Sequence, residues 1–178
     1  LGTGHAVQCA EPRFGDAARG DVFVLAGDGP LIRPETLVTL HERHRAADAS
    51  ATLATAVLDD PTGYGRILRD DAGRFRAIVE HKNCTDAQRD IREVNPSYYC
   101  FDASALFGPG GALTRVERDE KSGEYFLTDT VGLLAAEGKA ESMCDRPVWI
   151  QGLDQRIEMQ NLGARDLAVS AGAELAAR

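Results

Sequence analysis

Val22-Phe23-Val24-Leu25 is a run of four apolar, β-favouring residues with no alternation. A run of that kind predicts a strand buried on both faces, as in a sheet covered by helices on each side. It stops at Ala26-Gly27, and the carboxylate of Asp28 follows at once. Gly29 and Pro30 then turn the chain towards a helix predicted to open at Pro34. In open α/β sheets ligands bind just beyond the carboxyl ends of strands. Asp28 therefore has two readings, a metal perch or a turn residue capping the next helix.

The segments around this strand predict an α/β domain. From Pro34 to Ala47 the pattern is helical, with Leu37, Leu40 and His44 on one face. His41 and His44 are expected on the helix surface, since no acidic or Cys partner has metal-ligand spacing. Ala51–Leu58 reads as a second buried strand, which gives the strand–helix–strand signature of a parallel sheet. Gly65–Arg69 and Phe75–Glu80 flank Asp70-Asp71-Ala72-Gly73, a hairpin with a polar tip. Glu80 at the hairpin's end is either paired with Lys82 or Arg66 or free to accept from a sugar hydroxyl. Thr85-Asp86-Ala87-Gln88 is a capping box. Glu93–Phe101 reads as one strand made irregular by Pro96. Thr128 is the predicted N-cap of a helix through Val131 and Leu134, which Gly138 ends. Val148-Trp149-Ile150-Gln151-Gly152 reads as a last strand, followed closely by Asp154. The opening Leu1–Ala6 is expected to be a Gly-spaced loop leading into a short helix through Val7 and Ala10, and Glu11–Asp21 a surface loop.

At 178 residues the chain is long enough for one domain with a core. Its 20 basic and 28 acidic residues leave a net charge of −8, which disfavours broad binding to nucleic acid or anionic membrane. A small phosphorylated ligand stays open, because a metal and a few local donors can balance it. Cys9, Cys84, Cys100 and Cys144 are scattered, which supports neither a zinc site nor a disulfide framework and fits a reducing cytoplasm.

Several motifs occur together and in order: Leu-Gly-Thr-Gly-His-Ala at 1–6, Gly-Asp-x-Pro-Leu-Ile at 27–32, Asp-Asp-Pro-Thr-Gly-Tyr-Gly-Arg-Ile at 59–67, Ile-Val-Glu-His-Lys at 78–82, Gln-Arg-x-Ile-Arg-Glu-Val-Asn at 88–95 and Gly-Glu-Tyr-Phe-Leu-Thr-Asp at 123–129. Together they resemble the uridylyltransferase domain of the bacterial bifunctional N-acetylglucosamine-1-phosphate uridylyltransferase / glucosamine-1-phosphate acetyltransferase. The resemblance covers residues 1–156, leaving 157–178 as a helical tail or linker. It implies a Rossmann-like nucleotidyltransferase sheet with an inserted β-hairpin. It also implies Mg²⁺-dependent joining of UTP to N-acetylglucosamine 1-phosphate, giving UDP-N-acetylglucosamine and pyrophosphate. By the same resemblance Gly2 and Thr3 would contact the uracil. Gly65, Glu80 and Asn95 would hold the amino-sugar and ribose side, Thr128 would lie near the sugar phosphate, and Asp28 and Asp154 would bind Mg²⁺.

The departures from that pattern set further expectations. The family's first βα unit, with its phosphate-gripping Gly-rich loop and its catalytic Arg and Lys, would precede Leu1. The chain is therefore expected to be a portion of a longer enzyme, incomplete at its N-terminus. No acetyltransferase activity is expected without the family's β-helix. Ala26 stands where the family commonly has Tyr, Pro96-Ser97 replaces Thr-Gly, Phe126 replaces Tyr, and Asp154 replaces Asn. A competing reading is a non-catalytic sugar-nucleotide binding or interaction module; another is a fragment with no function by itself. An oligomer is compatible with all of these.

Overall fold

A computed structural model describes residues 1–14, 19–29 and 32–143. Its strands are β1 (Asp21–Leu25), β2 (Ala51–Ala54), β3 (Ala56–Val57), β4 (Gly65–Arg69), β5 (Phe75–Val79), β6 (Glu93–Asn95), β7 (Tyr98–Asp102) and β8 (Ala140–Met143). The α-helices are α1 (Gly2–Gln8), α2 (Pro34–Ala46), α3 (Asp86–Arg89), α4 (Ala103–Phe107) and α5 (Leu127–Ala136). The strands form two four-stranded sheets, ordered β1-β7-β2-β8 and β3-β6-β4-β5. The architecture is mixed α/β, but the parallel sheet that the strand–helix–strand pattern predicts is not what forms: among the described residues only β2 and β8 pair in parallel, and the other five pairings are antiparallel.

β1 and β2 are both antiparallel to β7, which lies between them, and β2 is parallel to β8. The expected β1–α2–β2 crossover is therefore present, with a later antiparallel strand inserted into its gap. Alternation along β7 separates two cores. Tyr99 and Phe101 join Leu53, Leu106, Val131 and Leu134 on the α4–α5 side. Tyr98 and Cys100 join Leu40 and Ala54 on the α2 side. Burying each such Leu or Phe contributes about 1.5–3 kcal/mol.

The hairpin, the Thr85 capping box and the stop at Gly138 form as the sequence predicts. β4 and β5 pair antiparallel around the 70–73 tip, with a bulge at Leu68/Arg69. Thr85 accepts from the Gln88 N–H while Gln88 accepts from the Thr85 N–H. Gly138 follows α5 with φ +71°.

Other expectations are corrected. The Val22–Leu25 strand is not buried on both faces: Phe23 is 37% and Leu25 38% exposed. Among the described residues β1 has a neighbour on one side only, β7, so its other edge lies open. Ala51–Leu58 is not one strand. It breaks at Thr55, whose hydroxyl donates to Glu93 at 2.7 Å, and continues into the second sheet. Glu93 also pairs with Arg69, its Oε1 lying 2.7 Å from the guanidinium, which ties the break to the hairpin. Glu93–Phe101 likewise divides at Pro96-Ser97, passing from the second sheet back to the first. Ser97 takes φ +66°, the left-handed conformation that favours glycine. His44 is not on the surface but 2% exposed, its Nδ1 2.9 Å from Thr52 Oγ1 and its Nε2 3.6 Å from Asp21. Burial holds its imidazole below the ordinary range, against the pull of Asp21. His41 stays half exposed, 2.7 Å from Asp21. The first helix begins at Gly2, so Gly2-Thr3-Gly4 lies inside it. The expected strand 148–152, Asp154 and the tail lie outside the described residues.

Candidate active site

Two segments distant in sequence meet at one mouth. The first turn of α1 is strapped to the entrance of α5: Gly4 N–H donates to the Tyr125 carbonyl at 2.8 Å, and Tyr125 N–H to the Leu1 carbonyl at 3.0 Å. Thr3 Oγ1 accepts the Leu127 N–H at 3.0 Å, satisfying one of the helix's open donors. Gly2 has φ +81°, and a Cβ there would lie 2.7 Å from the Tyr125 carbonyl oxygen. Only glycine fits that close approach without strain.

Thr128 is corrected from cap to lining residue. Phe126 holds the N-cap position, and Thr128 sits one residue inside α5. Its hydroxyl donates to Glu80 Oε1 at 3.0 Å. Of the readings left open for Glu80, pairing with Lys82 or Arg66 is not what forms. Lys82 pairs with Glu124 at 2.9 Å and lies over the Phe126 ring. Arg66, 1% exposed, donates to the carbonyls of Tyr64 and Arg89 and meets His81 Nδ1 at 3.3 Å, bracing the 63–65 turn. Gly65 faces Glu80 across the hairpin, with no room for a side chain: a Cβ would come within 2.9 Å of Ile78 Cγ2. Asp129 is pushed above the ordinary carboxylate range, first by desolvation and then by the charges of Glu80 and Asp119. The residue as a whole is exposed, so water damps the effect.

These groups enclose a cavity of about 500 Å³. Thr3, Asp28, Gly65, Glu80, Asn95 and Thr128, each singled out in the sequence, all line it. Gly2 stands just outside the lining, and Asp154 falls outside the described residues. Tyr99, Ser97 and Tyr64 also line the cavity, and sequence reasoning missed them as site residues. The available signal was their adjacency to Asn95 and Gly65. Asn95 is 4% exposed: its amide Nδ2 donates to the Tyr99 hydroxyl at 2.6 Å, and its Oδ1 accepts the Ser97 N–H at 3.1 Å. A larger groove of about 1310 Å³ runs between the hairpin and α5, sharing only Thr128 with this cavity. The smaller one collects the carboxylates, amide and hydroxyls singled out in the sequence, so it is the candidate site.

Asp28 is exposed, on the loop after β1. Among the described residues no group of three or more His, Cys, Asp or Glu side chains is arranged to hold a metal. One carboxylate at an open loop does fit Mg²⁺, which is commonly held by one or two carboxylates, substrate phosphates and waters. The lining offers acceptors and hydroxyls suited to sugar and base hydroxyl or amide groups. It carries no Lys or Arg among the described residues.

The cavity beside the loop after β1 lies where α/β sheets bind ligands, beyond the carboxyl end of a strand. Residues 1–150 match the family model described as Nucleotidyl transferase, and the chain belongs to that family. It is 44% identical over 161 residues to the Bifunctional protein GlmU of Geobacillus thermodenitrificans, covering 89% of this chain and 34% of that protein. To the Bifunctional protein GlmU of Mycobacterium bovis it is 40% identical over 166 residues, covering 92% of this chain and 33% of that one. The chain thus spans about a third of the length of the curated relatives it matches. Among solved structures, UDP-glucose pyrophosphorylase complexed with UDP-glucose superposes with a TM-score of 0.64 at 16% identity, covering 90% of this chain and 61% of that one. That likeness is one of fold. No described helix is long and apolar enough to cross a membrane.

Proposed function

We propose that this chain supplies the sugar-binding and metal-binding side of a cytoplasmic uridylyltransferase site. The reaction is UTP plus N-acetylglucosamine 1-phosphate to UDP-N-acetylglucosamine plus pyrophosphate. The observation that carries this reading is the gathering of Thr3, Asp28, Gly65, Glu80, Asn95 and Thr128 around one cavity. A phosphate oxygen of the sugar phosphate attacks the α-phosphorus of UTP, and the bond to the β-phosphate oxygen breaks, releasing pyrophosphate. No covalent intermediate is needed, so the site's task is positioning and charge stabilisation.

In this reading Glu80 accepts from a ligand hydroxyl while Thr128 holds its other oxygen. Asn95 meets the ligand with the amide proton and lone pair that Tyr99 and Ser97 leave over. Thr3 and the neighbouring Gly2 border the base, and Thr128 the sugar phosphate. Mg²⁺, held by Asp28 and Asp154 with the phosphates, would supply charge neutralisation there. Isothermal titration of UDP-N-acetylglucosamine with Mg²⁺ tests the assignment. Saturable binding, weakened by Asp28→Ala only when Mg²⁺ is present, is expected. No saturable heat would sink it, and binding without turnover would favour a non-catalytic sugar-nucleotide module.

A further inference from the structure

Tyr98 and Tyr99 are consecutive residues of β7, 3% and 2% exposed, and their side chains leave the strand on opposite faces. Their hydroxyls end on different partners: Tyr99 on Asn95 in the cavity lining, Tyr98 on the loop behind Asp28. Tyr98 donates to the Gly29 carbonyl at 3.3 Å, across 69 residues of sequence. Gly29 is itself buried, and a Cβ there would collide with the Tyr98 hydroxyl, so the loop that carries Asp28 rests directly on this ring. Tyr99 instead accepts the Asn95 amide, and the Ser97 N–H on Asn95 Oδ1 fixes which way that amide faces. Between them Ser97, at φ +66°, is held in its left-handed conformation by one long-range tie and one local one: its carbonyl accepts the Ala26 N–H at 3.1 Å, and its N–H donates to Asn95 Oδ1, two residues back. Backbone in that region persists only where its surroundings over-determine it.

We propose that Tyr98 and Tyr99 are positioning residues, each of which chiefly sets one half of the site. Tyr98 sets the 27–29 loop and hence the carboxylate of Asp28; Tyr99 sets the amide of Asn95. The inference rests on the sugar-nucleotide reading, since it assigns Asp28 to a divalent cation and Asn95 to the sugar side. Neither hydroxyl touches the ligand in this account. Each acts by holding a group that does, so removing it loosens one contact and spares the other.

The test uses the full protein as encoded, with Tyr98→Phe, Tyr99→Phe and Gly29→Ala. Two probes are read: Mn²⁺, by paramagnetic resonance, on protein saturated with UDP-N-acetylglucosamine, and UDP-N-acetylglucosamine without metal, by calorimetry. Tyr98→Phe should weaken Mn²⁺ about fivefold and leave the sugar nucleotide within about twofold, the scale of one neutral hydrogen bond. Tyr99→Phe should do the reverse. Gly29→Ala should follow Tyr98→Phe, because its methyl displaces the same hydroxyl, and it serves if Tyr98→Phe does not fold. A merely structural role would lower both affinities together; that result, or no change in either, overturns the proposal. Asp28→Ala and Asn95→Ala separate the two levels. If they shift their own probes while the tyrosine variants do not, only the positioning fails. If they too leave both probes unchanged, the functional reading fails with it.

Discussion

Replacing Glu80 by Gln keeps the side chain's size and removes its charge. The Thr128 hydroxyl sits 3.0 Å from Glu80 Oε1 and can still donate to the amide oxygen of Gln. A hydrogen bond to a charged partner contributes about 1.5–3 kcal/mol and a neutral one about 0.5–1.5, so each retained bond weakens by about 1 kcal/mol. The Thr128 bond exists in free and bound protein alike, so its loss falls on folding stability and largely cancels from affinity. The bond to a ligand hydroxyl exists only in the complex. Glu80→Gln should therefore weaken UDP-N-acetylglucosamine about fivefold and lower unfolding free energy by about 1 kcal/mol. Glu80→Ala removes the acceptor and should cost about 1.5–3 kcal/mol of affinity, on the order of ten- to a hundredfold. Thr128→Val removes the hydroxyl that holds Glu80, and a double-mutant cycle with Glu80→Gln, read on folding stability, should give a coupling of about 0.5–1.5 kcal/mol. Calorimetry for affinity and urea unfolding for stability separate the terms. Glu80→Ala binding within twofold of wild type would refute the assignment of Glu80 to the ligand.

Three further outcomes follow from the packing. His44 is held neutral by burial, against Asp21 and Asp102 and with help from His41 and Arg45. The unfolded chain takes up that proton near pH 6.5 while the folded one does so only at lower pH, so stability should fall as pH drops below about 6.5; urea midpoints for His44→Gln should show a shallower fall, and an unchanged slope would contradict this. Gly2→Ala places a Cβ 2.7 Å from the Tyr125 carbonyl at a positive φ and should destabilise by about 2 kcal/mol, read as a lower urea midpoint. Burial pushes the Cys100 thiol up to about 12 and the Cys84 thiol up as well, so a thiol reagent at pH 8 should label exposed Cys9 well before either, as mass spectrometry of digested protein would report.

What the sequence made legible is what is local. The hairpin tip, the Thr85–Gln88 box and the Gly138 stop depend on neighbours within four residues, and each is in place. The breaks at Thr55 and at Pro96-Ser97 depend on which sheet receives the next strand, and a run of apolar residues does not encode that choice. Insertion of β7 between β1 and β2 is likewise a pairing across some fifty to eighty residues, and β8 carries too little apolar pattern to announce itself. His44 lies on the same helical face as Leu40, a periodicity that pointed inward, but the lack of an acidic or Cys partner at metal-ligand spacing argued for the surface; Thr52 and Asp21 are the partners the fold supplies. In the site, the residues carried by ordered motifs converge. Tyr98 and Tyr99 were hidden because their roles run through Gly29 and Asn95, contacts set by the fold.

The most direct measurement is turnover by the full protein as encoded, supplied with UTP, N-acetylglucosamine 1-phosphate and Mg²⁺, with pyrophosphate and sugar nucleotide followed together. Pyrophosphate and UDP-N-acetylglucosamine should form in equal amounts, dependent on Mg²⁺ and strongly reduced in Asp28→Ala and Glu80→Ala. Absence of pyrophosphate with these substrates, or turnover that both variants leave unchanged, would contradict the uridylyltransferase reading.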